Sequence, residues 1–208
     1  MKELIYTFRQ KMSALNEAAF TVQQIPEEVM VAYEINDEYA YVQFVWEAGN
    51  KVTEEEADQY NVPYGMVWAV TTREDAAGPC LKAYMVENAN VSDGYGPLLY
   101  DAIMELVTRN GAGLIADRAS VSREALRVWD YYLRNRTDVE YYQLDDLKNS
   151  LTPTPEDNCK QIASRKWSRT RGGRNNKWHD EALSKMFVKP QATVLTALES
   201  SGQLLSGA

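Results

Sequence analysis

The stretch from residue 81 to residue 106 limits the possible folds more than any other part of this sequence. Residues 81–86 form a short, largely apolar run, as expected for a buried β-strand, and a loop with two glycines follows this run. Pro97 then suits the first position of a helix, where its missing N–H is not needed. Apolar residues recur at helical spacing from Leu98 to Leu106. A strand, a glycine turn and a helix in direct succession predict an α/β fold.

The rest of the chain predicts further strands and helices for the same domain. Alternating apolar residues predict an antiparallel hairpin, in which residues 29–35 and 39–46 are joined by a turn at residues 36–38. Residues 49–62 are acidic and predict an irregular connection. The other predicted elements are an amphipathic helix at 4–19, strands at 66–72, 114–116 and 139–144, and a helix at 122–134. Together they predict a mixed central sheet flanked by helices.

Charge divides the chain into two parts. The net charge is −8, but residues 160–177 hold seven Lys or Arg and no acid, so the remainder carries −15. Pro153 and Pro155 indicate a linker before this basic segment. We therefore predict an α/β domain over residues 1–148. Residues 149–208 are predicted to form a linker and a basic C-terminal extension, with a short helix around residues 180–186.

The basic segment has two alternative roles. Trp167 and Trp178 stand among its cations, a composition that suits single-stranded nucleic acid, with rings stacked on bases and arginines on phosphates. The same composition suits docking of residues 160–178 on protein, either the acidic body or a neighbouring subunit. The acidic body itself disfavours nucleic acid running across the domain.

Composition disfavours several functional classes. No apolar run approaches the roughly 18 residues of a membrane helix, and the Met-Lys-Glu start does not resemble a signal peptide. Cys80 and Cys159 lie far apart without metal-ligand spacing, and His179 is the single histidine. These features predict a cytoplasmic protein with no membrane partner, no metal site and no Ser-His-Asp triad.

The loop before Pro97 is the candidate for binding chemistry. The amides of a glycine-bearing turn and the unpaired N–H groups of a helix start together form an anion site. Glycines also let phosphates approach the backbone closely. The dinucleotide fingerprint is absent, because no third glycine follows Gly94 and Gly96 at the required spacing. No Gly-Lys-Ser/Thr follows either, which excludes a P-loop.

Residues 81–144 have the element order and several residues of a known family. The family motif is a strand that ends in Val-x-Pro, then Arg/Gln-x-x-Gly-x-Gly/Ala, a helix that begins with two leucine-like residues, a strand, and a helix with Asn-x-x-Ala-x-x-Leu-Tyr. The positions that take these places here are Val86, Gly94, Gly96, Leu98, Leu99, Ser122, Ala125, Val128 and Trp129. About a third of the chain therefore resembles the acyl-CoA-binding core of the GNAT superfamily of N-acetyltransferases, and in particular its divergent members encoded by tailed bacteriophages.

The resemblance implies an enzyme that transfers an acetyl group from acetyl-CoA, its co-substrate, to a primary amine. Acetyl-CoA would lie between residues 81–86 and 114–116, with its pyrophosphate on the amides of residues 92–96. A backbone amide near Met85 or Val86 would polarise the thioester carbonyl, and the amine would attack directly without a covalent enzyme intermediate. The residues predicted to bind the cofactor are Met85, Val86, Ser92, Asp93, Gly94, Tyr95, Gly96 and Pro97.

Four further residues are candidates for catalysis or substrate binding. Glu87 follows the predicted strand and is a candidate to accept a proton from the amine, while Tyr132 is the candidate proton donor to the thiolate. Asp117 and Ser120 follow the strand at 114–116, at the carboxyl end where open α/β sheets bind ligands. The acidic run at residues 54–58 either attracts a cationic amine or forms a solvated face.

Three departures from the family motif point to a second function. Val91 replaces Arg or Gln, Asn88 replaces a proline, and Trp129 replaces the tyrosine that protonates the thiolate. An indole N–H cannot act as that acid. The alternative prediction is a catalytically inactive GNAT-fold protein with a binding or assembly role, in the host cytoplasm or in a phage virion, whose basic tail contacts nucleic acid.

Overall fold

A computed structural model describes residues 22–71, 83–117, 121–144 and 181–207. The predicted helix at residues 4–19, Ser120, His179, both cysteines and the basic segment at 160–178 lie outside these ranges. Within the described ranges the chain forms a mixed β-sheet with helices packed against it.

The described strands follow one another in space in an order that differs from their order in the chain. The elements are β1 (Val29–Ile35), β2 (Tyr39–Trp46), α1 (Glu54–Tyr60), β3 (Gly65–Thr71), β4 (Tyr84–Val91), α2 (Gly96–Arg109), β5 (Leu114–Ala116), α3 (Arg123–Asn135), β6 (Glu140–Gln143), β7 (Lys185–Val188), α4 (Thr193–Ser200) and β8 (Leu204–Ser206). The sheet order is β6-β7-β5-β4-β3-β2-β1-β8. Strands β1 to β4 are antiparallel neighbours, β4 and β5 are parallel, and β7 lies antiparallel between β5 and β6. The predicted α/β fold with a mixed sheet is therefore confirmed.

Strands β1 and β2 form the predicted hairpin. The Asn36 side-chain oxygen accepts hydrogen bonds from the amides of Glu38 and Tyr39, each 2.9 Å long, and these bonds close the turn. Alternate residues of β2 are buried in the main core, together with the apolar residues of α2. The period of two that predicted the hairpin thus also defines which face of the sheet is buried.

Residues 49–62 differ from the prediction, because α1 forms within them. The Thr53 hydroxyl accepts from the Glu56 amide at 3.3 Å, and the Glu56 carboxylate accepts from the Thr53 amide at 2.9 Å. This reciprocal pair is a capping box. Acidic residues in the first turn also interact favourably with the helix dipole. The Thr-x-x-Glu cap therefore outweighs the density of like charges in this segment.

The fourth strand is longer than predicted. We expected a strand at residues 81–86 and a loop at residues 88–96, but β4 continues to Val91. Its second half pairs with the start of β3. Backbone hydrogen bonds to a neighbouring strand thus override the low strand propensity of asparagine. The loop that remains before α2 contains residues 92–95.

Helix α2 is buried along most of its length. All of its residues from Leu98 to Val107 are buried, including the charged Asp101 and Glu105. Pro97 stands in the first turn, as predicted. A helix that is buried on all sides needs packing partners around it, and these include β2, β7 and α4.

Residues 181–207 belong to the α/β domain, and we call them the C-terminal belt. Strand β7 inserts between β5 and β6, α4 packs on α2, and β8 pairs with β1 at the opposite end of the sheet. The predicted extension over residues 149–208 is therefore corrected for this part of the chain. The short helix predicted around residues 180–186 is present only as a 3-10 helix at Ala182–Ser184, and the chain then enters β7 at Lys185. Every residue of β7 is buried between its neighbours, which explains why this run is a strand.

Candidate functional site

Strand β4 extends beyond the end of its parallel neighbour β5. They pair in parallel over only three positions, which end at Val86 opposite Ala116. Strand β5 then ends, whereas β4 continues beside β3 to Val91. On its β5 side, the second half of β4 therefore faces no other described strand. This gap begins at the carboxyl ends of two parallel strands, where α/β sheets bind ligands.

Glu87 stands at a β-bulge in β4. The register between β3 and β4 shifts at this point, so Glu87 has no partner residue in β3. Bulges bend a strand and redirect its side chains, and the side chain of Glu87 is exposed. The bulge lies at the point where β4 extends past the end of β5.

Glu87 of β4 and Asp117, which follows β5, lie at the start of the gap. Each is the residue that follows the last β4–β5 pair in its own chain segment. Glu87 is exposed and Asp117 is partly buried. Ser120, the other residue predicted to bind substrate, lies outside the described residues. Two carboxylates at this point can accept a proton or attract a cationic group.

The turn before α2 is anchored to the body of the domain at both ends. Ser92 exchanges two hydrogen bonds with Tyr64: its amide donates to the Tyr64 carbonyl at 3.0 Å, and its hydroxyl accepts from the Tyr64 amide at 3.2 Å. The Tyr95 hydroxyl donates to the carbonyl of Gln24 at 3.3 Å, and the Tyr95 ring packs edge-on against Phe44. Both of these predicted cofactor-binding residues therefore hold the turn in place.

The amides within the turn fall into two groups. The Ser92 amide donates to the Tyr64 carbonyl, and the Tyr95 amide donates to the Ser92 carbonyl within the turn. The amides of Asp93, Gly94 and Gly96 donate to no other described residue. Unpaired amides at a helix N-terminus attract anions. The predicted phosphate site is therefore smaller than the sequence indicated, because two of its amides already have partners.

Gly94 and Gly96 are glycines for different reasons. Gly94 has a φ of 87°, in the left-handed region that favours glycine. Gly96 has no positive φ, and no heavy atom lies within 4 Å of the place where a Cβ would stand. Neither the backbone conformation nor a neighbouring described atom therefore requires glycine at position 96. A side chain there would enter open space at the first residue of α2.

Three carboxylates act on the phenol of Tyr64, whose backbone is hydrogen-bonded to Ser92 of the turn. Partial burial raises the pKa of Tyr64, and the charge and hydrogen bond of Glu54 raise it further, followed by the charges of Asp58 and Asp93. Glu54 and Asp58 are on α1, whereas Asp93 is in the turn. Glu54 and Asp58 of α1 and Asp93 of the turn therefore act on the same phenol, and their negative charges attract cations.

Met85 and Val86 occupy the last two β4–β5 pairs and point to opposite faces of the sheet. Val86 belongs to the main core, whereas Met85 packs against a second apolar cluster. The second cluster consists of Ala83, Ile115, Leu144, Met186 and Val188. Both side chains are used for packing, and both residues pair with β3 on one side and β5 on the other, so their predicted contact with a thioester carbonyl stays a prediction.

Trp129 and Tyr132 lie in the core. They are 1% and 2% exposed, respectively. The Tyr132 hydroxyl donates to Asp101 Oδ1 at 2.6 Å, and Trp129 stacks on Phe187 with ring centroids 5.4 Å apart. Burial, followed by the charge of Asp101, raises the pKa of Tyr132 well above its usual value. The structure thus gives the Tyr132 hydroxyl a partner in the core and does not pair it with Glu87; its catalytic role stays a prediction.

A buried ionic network, which the sequence did not predict, links α2 to the belt. It consists of Asp101, Glu105, Arg136, Asp138 and Lys189. Arg136 lies 2.7 Å from Asp101 and 2.6 Å from Asp138, while Lys189 Nζ contacts the two acids of α2. Burial alone raises the pKa of Asp138, but Arg136 and then Lys189 outweigh burial, and the pKa lies below its usual value. Lys189 and Asp101 are 88 positions apart, so no local pattern indicates the pair.

The described residues define an α/β domain with a gap between two parallel strands and a glycine turn at the helix start that follows. Comparisons with protein-family models, with curated proteins and with solved structures gave no significant match to this chain. Among the described residues, no group of three or more His, Cys, Asp or Glu side chains is arranged to hold a metal ion. Nor does any helix in these ranges have the length and apolar character needed to span a bilayer.

Proposed function

We propose that this protein binds acyl-CoA in the gap between β4 and β5 and transfers the acyl group, an acetyl group, to a primary amine. The proposal joins the resemblance of residues 81–144 to the GNAT superfamily with the geometry of the gap. The observation that carries it is that β5 ends while β4 continues to the glycine turn, which leaves the second half of β4 without a described neighbour on that side. The pantetheine arm of acyl-CoA is elongated and leads to a pyrophosphate, so it suits an opening with anion-binding amides at one end.

Gly94 and Gly96 support a phosphate ligand at the start of α2. A pyrophosphate there would accept hydrogen bonds from the amides of Asp93, Gly94 and Gly96, which have no described partner. The dipole of α2 adds to this attraction. Close approach of a ligand also accounts for glycine at position 96, since the described domain does not require it there.

In the proposed reaction the amine nitrogen attacks the thioester carbonyl carbon directly. A backbone N–H near Met85 or Val86 stabilises the developing oxyanion. The C–S bond then breaks, which gives an amide and the CoA thiolate. Glu87, at the bulge, accepts the proton that the amine loses, directly or through a water molecule. The thiolate takes up a proton from solvent, because Trp129 supplies no acid at the family's tyrosine position.

The charges beside the turn favour a cationic acceptor. The Tyr64 phenol is influenced by the charges of Glu54, Asp58 and Asp93. At the start of the gap lie two further carboxylates, Glu87 and Asp117. Their negative potential attracts a protonated amine and raises its local concentration at the gap.

A second candidate function is that of a GNAT-fold binding protein without catalysis. The core positions of Trp129 and Tyr132 favour it, because neither offers an acid to a thiolate in the gap. Val91 likewise offers no cation to a phosphate. In this case the gap binds acyl-CoA without turnover. The basic segment at 160–178, outside the described residues, then carries the contact with nucleic acid or with an assembly partner.

Isothermal titration calorimetry with acetyl-CoA tests the binding step. We expect Gly96→Val to bind about tenfold more weakly than the parent protein or worse, a loss of about 1.4 kcal/mol, because its side chain enters the space that the ligand needs. Gly96→Ala should give a smaller loss. Thr196→Val, on the exposed side of α4, is the control and should bind like the parent. The proposal is wrong if the parent does not bind at millimolar acetyl-CoA or if Gly96→Val binds equally well.

Turnover separates the two candidates. Free CoA thiol is measured after the parent is mixed with acetyl-CoA and a panel of diamines and amino acids. Thiol release that depends on the amine supports the transferase, whereas binding without release supports the non-catalytic protein. Because binding is measured separately, the absence of turnover does not affect the test of binding in the gap.

A further inference from the structure

Lys189 is a buried cation in the belt, directly after β7. Its side chain has no exposed surface, and Nζ lies 2.8 Å from Asp101 and 2.6 Å from Glu105. Its backbone amide also donates to the Thr108 hydroxyl at 3.0 Å. These three partners belong to α2 and extend over about two helical turns. Lys189 therefore attaches the belt to α2 at three points.

Glu105 receives a second set of contacts from the belt. The amides of Val194 and Leu195, in the first turn of α4, donate to its carboxylate at 3.0 and 2.8 Å. The Thr193 hydroxyl donates at 3.2 Å. A carboxylate at a helix N-terminus is stabilised by the helix dipole. Since α4 has no side-chain cap of its own, Glu105 caps it from α2.

The other ionisable groups of the network share the same partners. Asp138 lies 3.8 Å from Lys189 and pairs with Arg136. Arg136 and the Tyr132 hydroxyl both contact Asp101. With its carboxylates ionised, the network has three negative and two positive charges. Loss of the Lys189 charge therefore leaves buried carboxylates with too little compensation, which is strongly destabilising.

We propose that Lys189 is a positioning residue: by attaching the belt to α2, it fixes the start of this helix and with it the glycine turn at residues 92–96. The ends of the turn are anchored at Ser92 and Tyr95, but its last residue is the first residue of α2. This inference goes beyond the proposed function, because it concerns the position of the turn whatever ligand binds there. It predicts that loss of one charge loosens two segments together.

Hydrogen–deuterium exchange on the full chain tests this coupling. We expect Lys189→Met to speed exchange by about tenfold or more in the belt and at the hydrogen-bonded amides of Tyr95 and Leu99. The hairpin β1–β2 should keep its parental rates. Adding Glu105→Gln to Lys189→Met returns the net charge of the network to its parental value but does not restore the attachment, so the double variant should stay deprotected in both segments. Lys51→Met, which replaces an exposed lysine, is the control.

Three results would overturn the proposal. Faster exchange in the belt with an unchanged turn would show that the belt does not position the turn. Unchanged exchange in both segments would show that the charge is dispensable. A rise that includes the hairpin would show a global loss of stability. If Lys189→Met does not fold, Glu105→Gln alone is measured in the same way, because it weakens the same attachment without leaving excess charge.

Discussion

At the scale of single residues, the candidate site depends on Gly96 and Glu87. Glycine destabilises a helix interior relative to alanine by about 0.5–1 kcal/mol. Gly96 is the first residue of α2, and nothing in the described domain requires glycine there. Glu87 is likewise placed by an irregularity, since the bulge leaves it without a β3 partner. Both features depart from regular local structure, and such departures beside an opening are typical of a binding site.

Tyr132 and Trp129 limit how the proposed reaction can proceed. A proton donor must reach the leaving thiolate, but the Tyr132 hydroxyl is bonded to Asp101 within the core. Asp101 also contacts Arg136 and Lys189. The tyrosine thus contributes to the ionic network that holds α2, and we expect its removal to affect stability first.

Tyr132→Phe tests this assignment by removing a single hydroxyl. We expect the free energy of unfolding to fall by about 2 kcal/mol, the range for a hydrogen bond to a charged group, as measured by urea denaturation. Tyr142→Phe, at a side chain that is 50% exposed, should leave stability unchanged. If acyl transfer is detected, unchanged stability with a loss of about 100-fold or more in kcat would contradict the structural role and return Tyr132 to catalysis.

At the scale of elements, local patterns predicted the segments that local interactions hold. The hairpin and α3 follow from alternation and helical spacing, and Ser122 caps α3 by accepting from the Ala125 amide at 3.1 Å. The same local logic predicted α2 from its proline and apolar repeats. The capping box at Thr53 and Glu56 was a further local signal for α1, but the acidic composition led us to predict an irregular connection.

Elements that depend on distant partners were not predictable from local patterns. The second half of β4 is polar and becomes a strand because β3 pairs with it. Strand β7 has only four residues, too few for periodicity to separate strand from helix. It forms because β5 and β6 provide hydrogen-bonding edges on both sides. The boundary predicted at residue 148 failed for the same reason, since the contacts that include the belt in the domain are long-range.

A chain that ends at residue 150 tests the contribution of the belt. We expect it to show no cooperative thermal transition by circular dichroism, because β5 and β6 lose the strand between them and the buried acids of α2 lose Lys189. A synthetic peptide of residues 181–207, added in trans, should restore part of the transition. A chain lacking only Ala208 is the control. A cooperative transition at the parental Tm in the shortened chain would contradict this account.

At the scale of the whole molecule, the belt connects the two ends of the sheet. Strand β7 lies next to β6 near one end, and β8 lies beside β1 at the other. Near β1, the Gln203 side-chain amide donates to the carbonyls of Pro26 and Val29 at 2.9 and 3.1 Å. Between the two strands, α4 packs on α2. The helix that begins at the glycine turn therefore packs against β7 and α4 of a segment that reaches both ends of the sheet.

The sequence predicted the strand, the glycine turn and the helix of the candidate site but not its details. A strand, a glycine turn and a helix indicated where a ligand would bind, and the gap between β4 and β5 lies beside that turn. The bulge at Glu87 and the partners of the Ser92 amide depend on β3 and on Tyr64, which lie far away in sequence. The proximity of Glu54 and Asp58 to the turn is also tertiary, because it depends on how α1 packs.

The central claim, that acyl-CoA binds between β4 and β5 with its phosphates at the glycine turn, is tested most directly by backbone amide NMR. Spectra of the full-length protein are recorded as CoA is added. The account predicts chemical-shift changes at Asp93, Gly94 and Gly96, accompanied by changes at Glu87 and Asp117 along the gap, while the hairpin signals stay in place. Shift changes confined to other surfaces, or unchanged spectra at millimolar CoA, would contradict it.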